Sequence, residues 1–199
     1  EQADPNEAVV SYLLDSANYW LGDLGCAGFR LDVPNEVPFL FWRMFRERCN
    51  SLKEDVWLVG ELWGNAGRWI GPDCFDSTMN YKFFRDPVMD FFGKGSIDAA
   101  SFDARLSPGR FQYPPQSVAV MMNLIDSHDT IRFLTSAGDV RRLMLGLTQV
   151  ALHPCVKGRF YDAMRTKLRQ LARARSNEIT SLDFGRIATG LLAAHVLAE

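Results

Sequence analysis

The chain of 199 residues is short of the residues that build metal and disulfide frameworks: it has three histidines and four cysteines. Cys26, Cys49, Cys74 and Cys155 lie far apart among apolar neighbours, and none forms a CxxC pair. That spacing suits buried free thiols better than a disulfide scaffold or a zinc site, and makes a reducing, cytoplasmic compartment the expectation. Charge of one sign is also lacking. Lys and Arg number 22 against 24 Asp and Glu, a net charge of −2 with no long basic run, so the chain has no electrostatic footprint for nucleic acid or an anionic membrane. No apolar stretch approaches the roughly 20 residues that span a bilayer, and Glu1-Gln2-Ala3-Asp4-Pro5 is the opposite of a basic signal region. Glycine-rich phosphate loops are missing as well, since neither GxGxxG nor GxxxxGK[ST] occurs. Position 1 is not Met and the chain opens directly on a helix signal, so the expectation is a piece of something longer.

What is present is a regular alternation. Asp4-Pro5-Asn6-Glu7 reads as a capping box, followed by apolar residues at helical spacing through Val10, Leu13, Leu14, Ala17, Trp20, Leu21 and Leu24, and then Gly25 as a stop. Gly28-Phe29-Arg30-Leu31-Asp32-Val33 is a short strand ending in a carboxylate, and Pro38 opens a second helix with Leu40, Phe41, Met44 and Phe45. Val56-Trp57-Leu58-Val59-Gly60-Glu61 repeats the pattern. A third strand is predicted at 75–80, a helix through Phe83 to Phe92, and a loop region around Pro108, Pro114 and Pro115. A fourth strand is predicted at 118–124, and helices at 139–152 and 160–174.

Alternating strands and helices predict an α/β fold with a mainly parallel sheet. Asp32 and Glu61 are separated by about one βα unit of roughly 30 residues, and Glu61 and Asp129 by about two. The three charged strand ends are therefore in phase, which fits a (β/α)8 TIM barrel with Asp32, Glu61 and Asp129 around one mouth. An open doubly wound sheet is the runner-up.

Three segments in this order and at these distances resemble signature regions of the α-amylase family of glycoside hydrolases. They are Gly28-Phe29-Arg30-Leu31-Asp32-Val33, Val59-Gly60-Glu61-Leu62-Trp63-Gly64, and Asn123-Leu124-Ile125-Asp126-Ser127-His128-Asp129-Thr130. Pro34-Asn35-Glu36-Val37 and Phe75-Asp76-Ser77-Thr78-Met79-Asn80-Tyr81 are similar to the cyclomaltodextrinase, neopullulanase and maltogenic amylase branch. Carried over by position, the resemblance implies Asp32 as nucleophile, Glu61 as general acid/base and Asp129 as transition-state stabiliser. It implies Arg30 as the partner that holds Asp32 ionised and His128 as a ligand of substrate hydroxyls. Asn35 and Glu36 fall at the rim of the acceptor subsites.

The residue chemistry supports these roles on its own terms. Retaining glycoside hydrolysis needs one ionised carboxylate to attack and one protonated carboxyl to release the leaving oxygen. Arg30 lies two residues before Asp32, on the same strand face, and its cation should favour the ionised Asp32. Glu61 sits among apolar neighbours, which suits an acid. Trp63, Trp69 and Phe133 are candidate faces for sugar stacking, and Asn65 and Asn80 candidate hydroxyl ligands. Trp20, Trp42, Trp57 and the Phe-rich stretch 83–92 are assigned to core, and His153 and His195 to ordinary structural roles. Asp126 is a decoy, because the motif aligns Asp129 after His128.

On this reading residues 1–176 are the second half of the barrel, from strand 4 onward with strand 8 missing, and residues 177–199 begin a C-terminal β-sandwich. The expected substrates are cyclodextrins, malto-oligosaccharides or related α-glucans, cleaved at α-1,4 bonds with transglycosylation alongside. No redox or nucleotide cofactor is implied, and nothing in the sequence supports a structural calcium. Members of this branch often form homodimers through an N-terminal domain that this sequence does not contain. The competing expectations are a non-catalytic carbohydrate-binding relative and an incomplete barrel fragment.

Overall fold

A computed structural model describes residues 6–152 of the chain. The helix predicted at 160–174, the β domain predicted at 177–199, His153, Cys155 and His195 lie outside the described residues. Those that are described divide between two compact units, one taking the chain to Phe83 together with Ser107–Asn123, the other Phe84–Leu106 and the chain from Leu124 onward.

The first unit opens on α1 (Glu7–Ala17). Its N-cap is Asn6 rather than Asp4: the Asn6 side-chain oxygen accepts from the Val9 amide at 3.2 Å, and Glu7 lies in the first turn where the helix dipole favours a negative charge. The helix widens into a π-helical turn, Asn18–Asp23, and the chain leaves it through Gly25 at φ +68°, a left-handed conformation that costs glycine little. Three strands follow, β1 (Gly28–Leu31), β2 (Trp57–Gly60) and β3 (Ser77–Thr78), all parallel in the order β1-β2-β3. Arg30 pairs with Val59 and Gly60 with Thr78. Between β1 and β2 runs α2 (Phe39–Leu52), which completes a βαβ unit and packs against α1. At Gly28 a side chain is excluded outright, because a Cβ would lie 1.8 Å from the Trp57 carbonyl oxygen.

The strand predicted at 118–124 is corrected to a single parallel bridge, Met79 to Met122. Pro114 and Pro115 are the reason. They start a short helix, which takes up Val118 and Ala119 and leaves only Met122 to reach β3. Similarly, the loop predicted around Pro108 is helical. One long helix, Ala99–Phe111, runs through that proline, and the Gln112 amide still donates to the Pro108 carbonyl. The core of this unit joins α1, α2 and the sheet through Leu21, Trp42, Phe45, Leu58 and Phe75. Trp42 is core as expected, its indole N–H bonded to the Pro34 carbonyl at 2.8 Å. Trp20 and Trp57 are not: both expose more than a third of their surface.

The second unit is helical in its described part. Asp86–Val88 passes into a π-helical turn, Met89–Lys94, that stops on Gly95 in the left-handed region. Two further helices, Phe133–Ala137 and Val140–Leu152, pack on that turn. Their shared centre is Phe133, wholly buried among Phe84, Val88, Met89 and Leu106. Gly93 and Gly146 let the helices close on it, since a Cβ at Gly146 would come within 3.0 Å of the ring. Phe133 is therefore core and not a sugar platform. The Phe-rich stretch behaves as predicted: Phe91 and Phe92 form an aromatic cluster with Phe102.

Candidate active site

Two carboxylates stand directly after neighbouring parallel strands of the first unit. Asp32 follows β1, Glu61 follows β2, and the Glu61 amide donates to the Leu31 carbonyl at 2.9 Å, so the ladder itself sets the two side by side. Strand alternation sends Leu31 into the core and Arg30 and Asp32 to the opposite side. There the Arg30 guanidinium meets both acids. Nη1 pairs with Asp32 Oδ1, and Nη2 lies 2.7 Å from Glu61 Oε1, in a contact of charges that lacks hydrogen-bond alignment. The cation is thus shared between two acids and not held by Asp32 alone.

Their surroundings differ sharply. Glu61 is 3% exposed, with the Arg30 guanidinium against it, whereas the Asp32 side chain is 72% exposed. Between them the backbone turns through Val33 at φ 41°, ψ 49°, a left-handed conformation that is uncommon for a β-branched residue. The turn brings the Val33 amide to 3.4 Å from Glu61 Oε2. One orbit outward, Pro34–Glu36 forms a 3-10 turn in which Asn35 donates to Glu36 at 3.0 Å, with both side chains exposed.

The aromatic candidates separate. Trp63 is half exposed and stacks on buried Tyr81, ring centroids 4.1 Å apart and planes 4° from parallel, so one face is covered. Trp69 is only partly exposed and packs against the core. The two softer amide candidates are committed elsewhere. Asn65 accepts from the Gly67 amide at 2.9 Å, and buried Asn80 donates to Asn123 at 2.8 Å.

His128 and Asp129 belong to the second unit. Both are exposed, with His128 Nε2 3.1 Å from Asp129 Oδ2. Asp126, three residues earlier, pairs with Arg132 at 3.0 Å and accepts from the Phe133 amide at 2.8 Å, at the start of the helix Phe133–Ala137. Among the described residues no group of three or more His, Cys, Asp or Glu is placed to hold a metal ion. No described helix is long and apolar enough to cross a membrane.

Two contacts around the site come from the 75–81 segment, whose resemblance assigns neither residue a role. Met79 Sδ accepts from Arg30 Nε at 3.4 Å, and Tyr81 lies beneath Trp63. Nothing in spacing or hydropathy distinguishes them from ordinary core residues; the parallel pairing of β3 with β2 is what brings them there.

The family model for the catalytic domain of α-amylase matches residues 3–159. Neopullulanase 2 of Thermoactinomyces vulgaris is 50% identical over 133 residues, which cover 67% of this chain and 22% of that protein. A cyclomaltodextrinase of Thermoanaerobacter pseudethanolicus is 45% identical over 143 residues, 71% of this chain and 25% of that one. Among solved structures, the cyclic α-maltosyl-(1→6)-maltose hydrolase of Arthrobacter globiformis superposes with a TM-score of 0.70 at 38% identity, covering 73% of this chain and 33% of that chain. The chain thus spans about a quarter of the curated relatives it matches. With the family match over most of the chain and these relatives at both levels, the chain belongs to the α-amylase family, within its (β/α)8 catalytic domain.

Proposed function

We propose that the protein carrying this chain is a retaining glycoside hydrolase that cleaves α-1,4 bonds of cyclodextrins, malto-oligosaccharides or related α-glucans, with transglycosylation when a sugar hydroxyl replaces water. The observation that carries the reading is the single guanidinium of Arg30 against an exposed Asp32 and a buried Glu61. Two acids gripped by two nitrogens of one cation stay close together, in keeping with the separation of about 5–5.5 Å that retention requires. Asp32, open to solvent, attacks the anomeric carbon. Glu61 gives its proton to the departing glycosidic oxygen, and in the second half deprotonates the water that hydrolyses the glycosyl-enzyme. Asp129 binds sugar hydroxyls and stabilises the developing oxocarbenium ion, with His128 beside it as a hydroxyl ligand. The free face of Trp63 stacks on a sugar ring, and Asn35 and Glu36 line the acceptor side.

Within the longer protein, residues 1–176 supply the second half of the barrel and residues 177–199 begin a C-terminal β domain. A cytoplasmic location and a homodimer belong to the same proposal.

The test is release of reducing sugar from β-cyclodextrin by the full-length protein, with the anomer of the first product read by NMR. Glu61→Gln and Asp32→Asn are each expected to lower kcat by about 10³-fold or more while cyclodextrin still binds. Turnover retained in either variant, or an inverted first product, overturns the assignment.

A further inference from the structure

Arg30 holds the two acids only as well as it is itself held. Its Nη1 and Nη2 are taken up by Asp32 and Glu61, and rotation about its side chain is left to whatever Nε meets. Nε donates to Met79 Sδ at 3.4 Å. Met79 is buried and comes immediately after β3, where its surroundings leave it little freedom. Its amide donates to the Gly60 carbonyl at 3.0 Å, and it forms the parallel bridge to Met122. The same Gly60 carbonyl accepts from the Thr78 hydroxyl at 2.8 Å, while the Phe75 ring closes over Gly60 so tightly that a Cβ there would lie 2.7 Å from it. Met79 therefore acts at two points: its backbone locks the peptide that leads into Glu61, and its side chain bears on the cation that pairs with Glu61.

We infer that Met79 is a positioning residue, whose thioether fixes the orientation of Arg30 between Asp32 and Glu61. The chemistry explains why sulfur suits the position. A carboxylate oxygen would bind Nε–H as a third anion and compete with the two acids for the positive charge. A thioether is a weak, polarisable acceptor on an unbranched stem: it satisfies the donor and fills the space, leaving the charge of Arg30 to the acids.

The inference rests on the proposed function for its kinetic consequence and on geometry alone for its structural one, so the experiment reads both. In the full-length protein, Met79→Leu keeps the volume and removes the acceptor. Its kcat on β-cyclodextrin is expected to fall about tenfold, with KM within about twofold and Tm within a few degrees, because misplacing a group at the reacting centre costs rate before binding. Met79→Gln restores an acceptor at similar reach and is expected to recover most of that loss, which a packing role would not allow. In a crystal structure of Met79→Leu, Arg30 Nη2 is expected to leave Glu61 Oε1. Wild-type kcat in Met79→Leu, an effect confined to KM and Tm, or a Gln variant no better than Leu overturns the inference. If the wild-type protein releases no sugar, the functional reading fails by itself, and the position of Arg30 in the Met79→Leu structure still decides the role of Met79.

Discussion

The two compact units solve the burial problem in opposite ways. In the second, the centre is one aromatic ring, Phe133, surrounded by apolar side chains and approached through two glycines, while its polar candidates His128 and Asp129 stand exposed. In the first, polar groups go inside with their partners. Glu61 is buried against Arg30, and Arg46, also buried, donates to the Cys74 carbonyl and to Asp76, both at 2.7 Å. Asp76 in turn accepts from the Leu58 amide at the foot of β2. An apolar core gains from area alone and tolerates little change of volume. A core with paired charges gains less stability but specifies direction, which is what the proposed roles of Asp32 and Glu61 require.

This contrast can be broken from either side. The largest effect on stability is expected from Phe133→Ala, at about 3–5 kcal/mol, because the surrounding helices cannot collapse into so large a cavity. Amide exchange should show the loss first in the helices that pack on Phe133; uniform loss across both units would erase the distinction drawn here. Arg46→Met tests the other side. It keeps much of the apolar stem and removes the cation, and about 2–3 kcal/mol of destabilisation is expected in urea unfolding, below the range for a fully buried pair because Asp76 retains access to solvent. A neutral or stabilising result would mean that the charges in the first unit contribute direction only.

The smallest effect concerns the thiols of the first unit. Burial pushes Cys49 from the ordinary 9.0 up to about 11, against a lowering by nearby Arg46. Cys74 is pushed to about 12, first by burial and then by the charge of Asp73. Both keep their protons at pH 8, so alkylation of the native protein should leave Cys49 and Cys74 unmodified while denatured protein reacts. A raised thiol value means that the folded state holds its proton more tightly than the unfolded one. The associated stability is therefore complete below pH 9 and is lost as pH rises from 9 towards 11 and 12. Rapid native labelling of either thiol would show that the core of the first unit opens easily.

How much of this could be read in advance depends on how local the cause was. The βαβ unit and the strand-end placing of Asp32 and Glu61 followed from apolar periodicity and from carboxylates at its ends, which act over a few residues. Asp126 as a decoy followed from the alignment of a motif; in the structure its carboxylate pairs with Arg132 and accepts from the Phe133 amide. The strand predicted at 118–124 went wrong where two prolines outweighed β-propensity. Phe133 was misread as a platform because aromatic identity says nothing about which face is covered. Trp20 and Trp57 erred in the other direction, large and apolar yet substantially exposed.

By itself, then, the sequence determined the alternation of strands and helices, the absence of basic and membrane-spanning segments, and the residues that could serve as acids, because each of these depends on near neighbours along the chain. The tertiary structure decided which carboxylate is buried and which is open, that one arginine serves both, and that a methionine 49 positions away lies against that arginine. Those outcomes depend on the parallel register of β1, β2 and β3, which brings side chains from distant stretches of chain within ångströms of each other. No pattern confined to one strand carries that information.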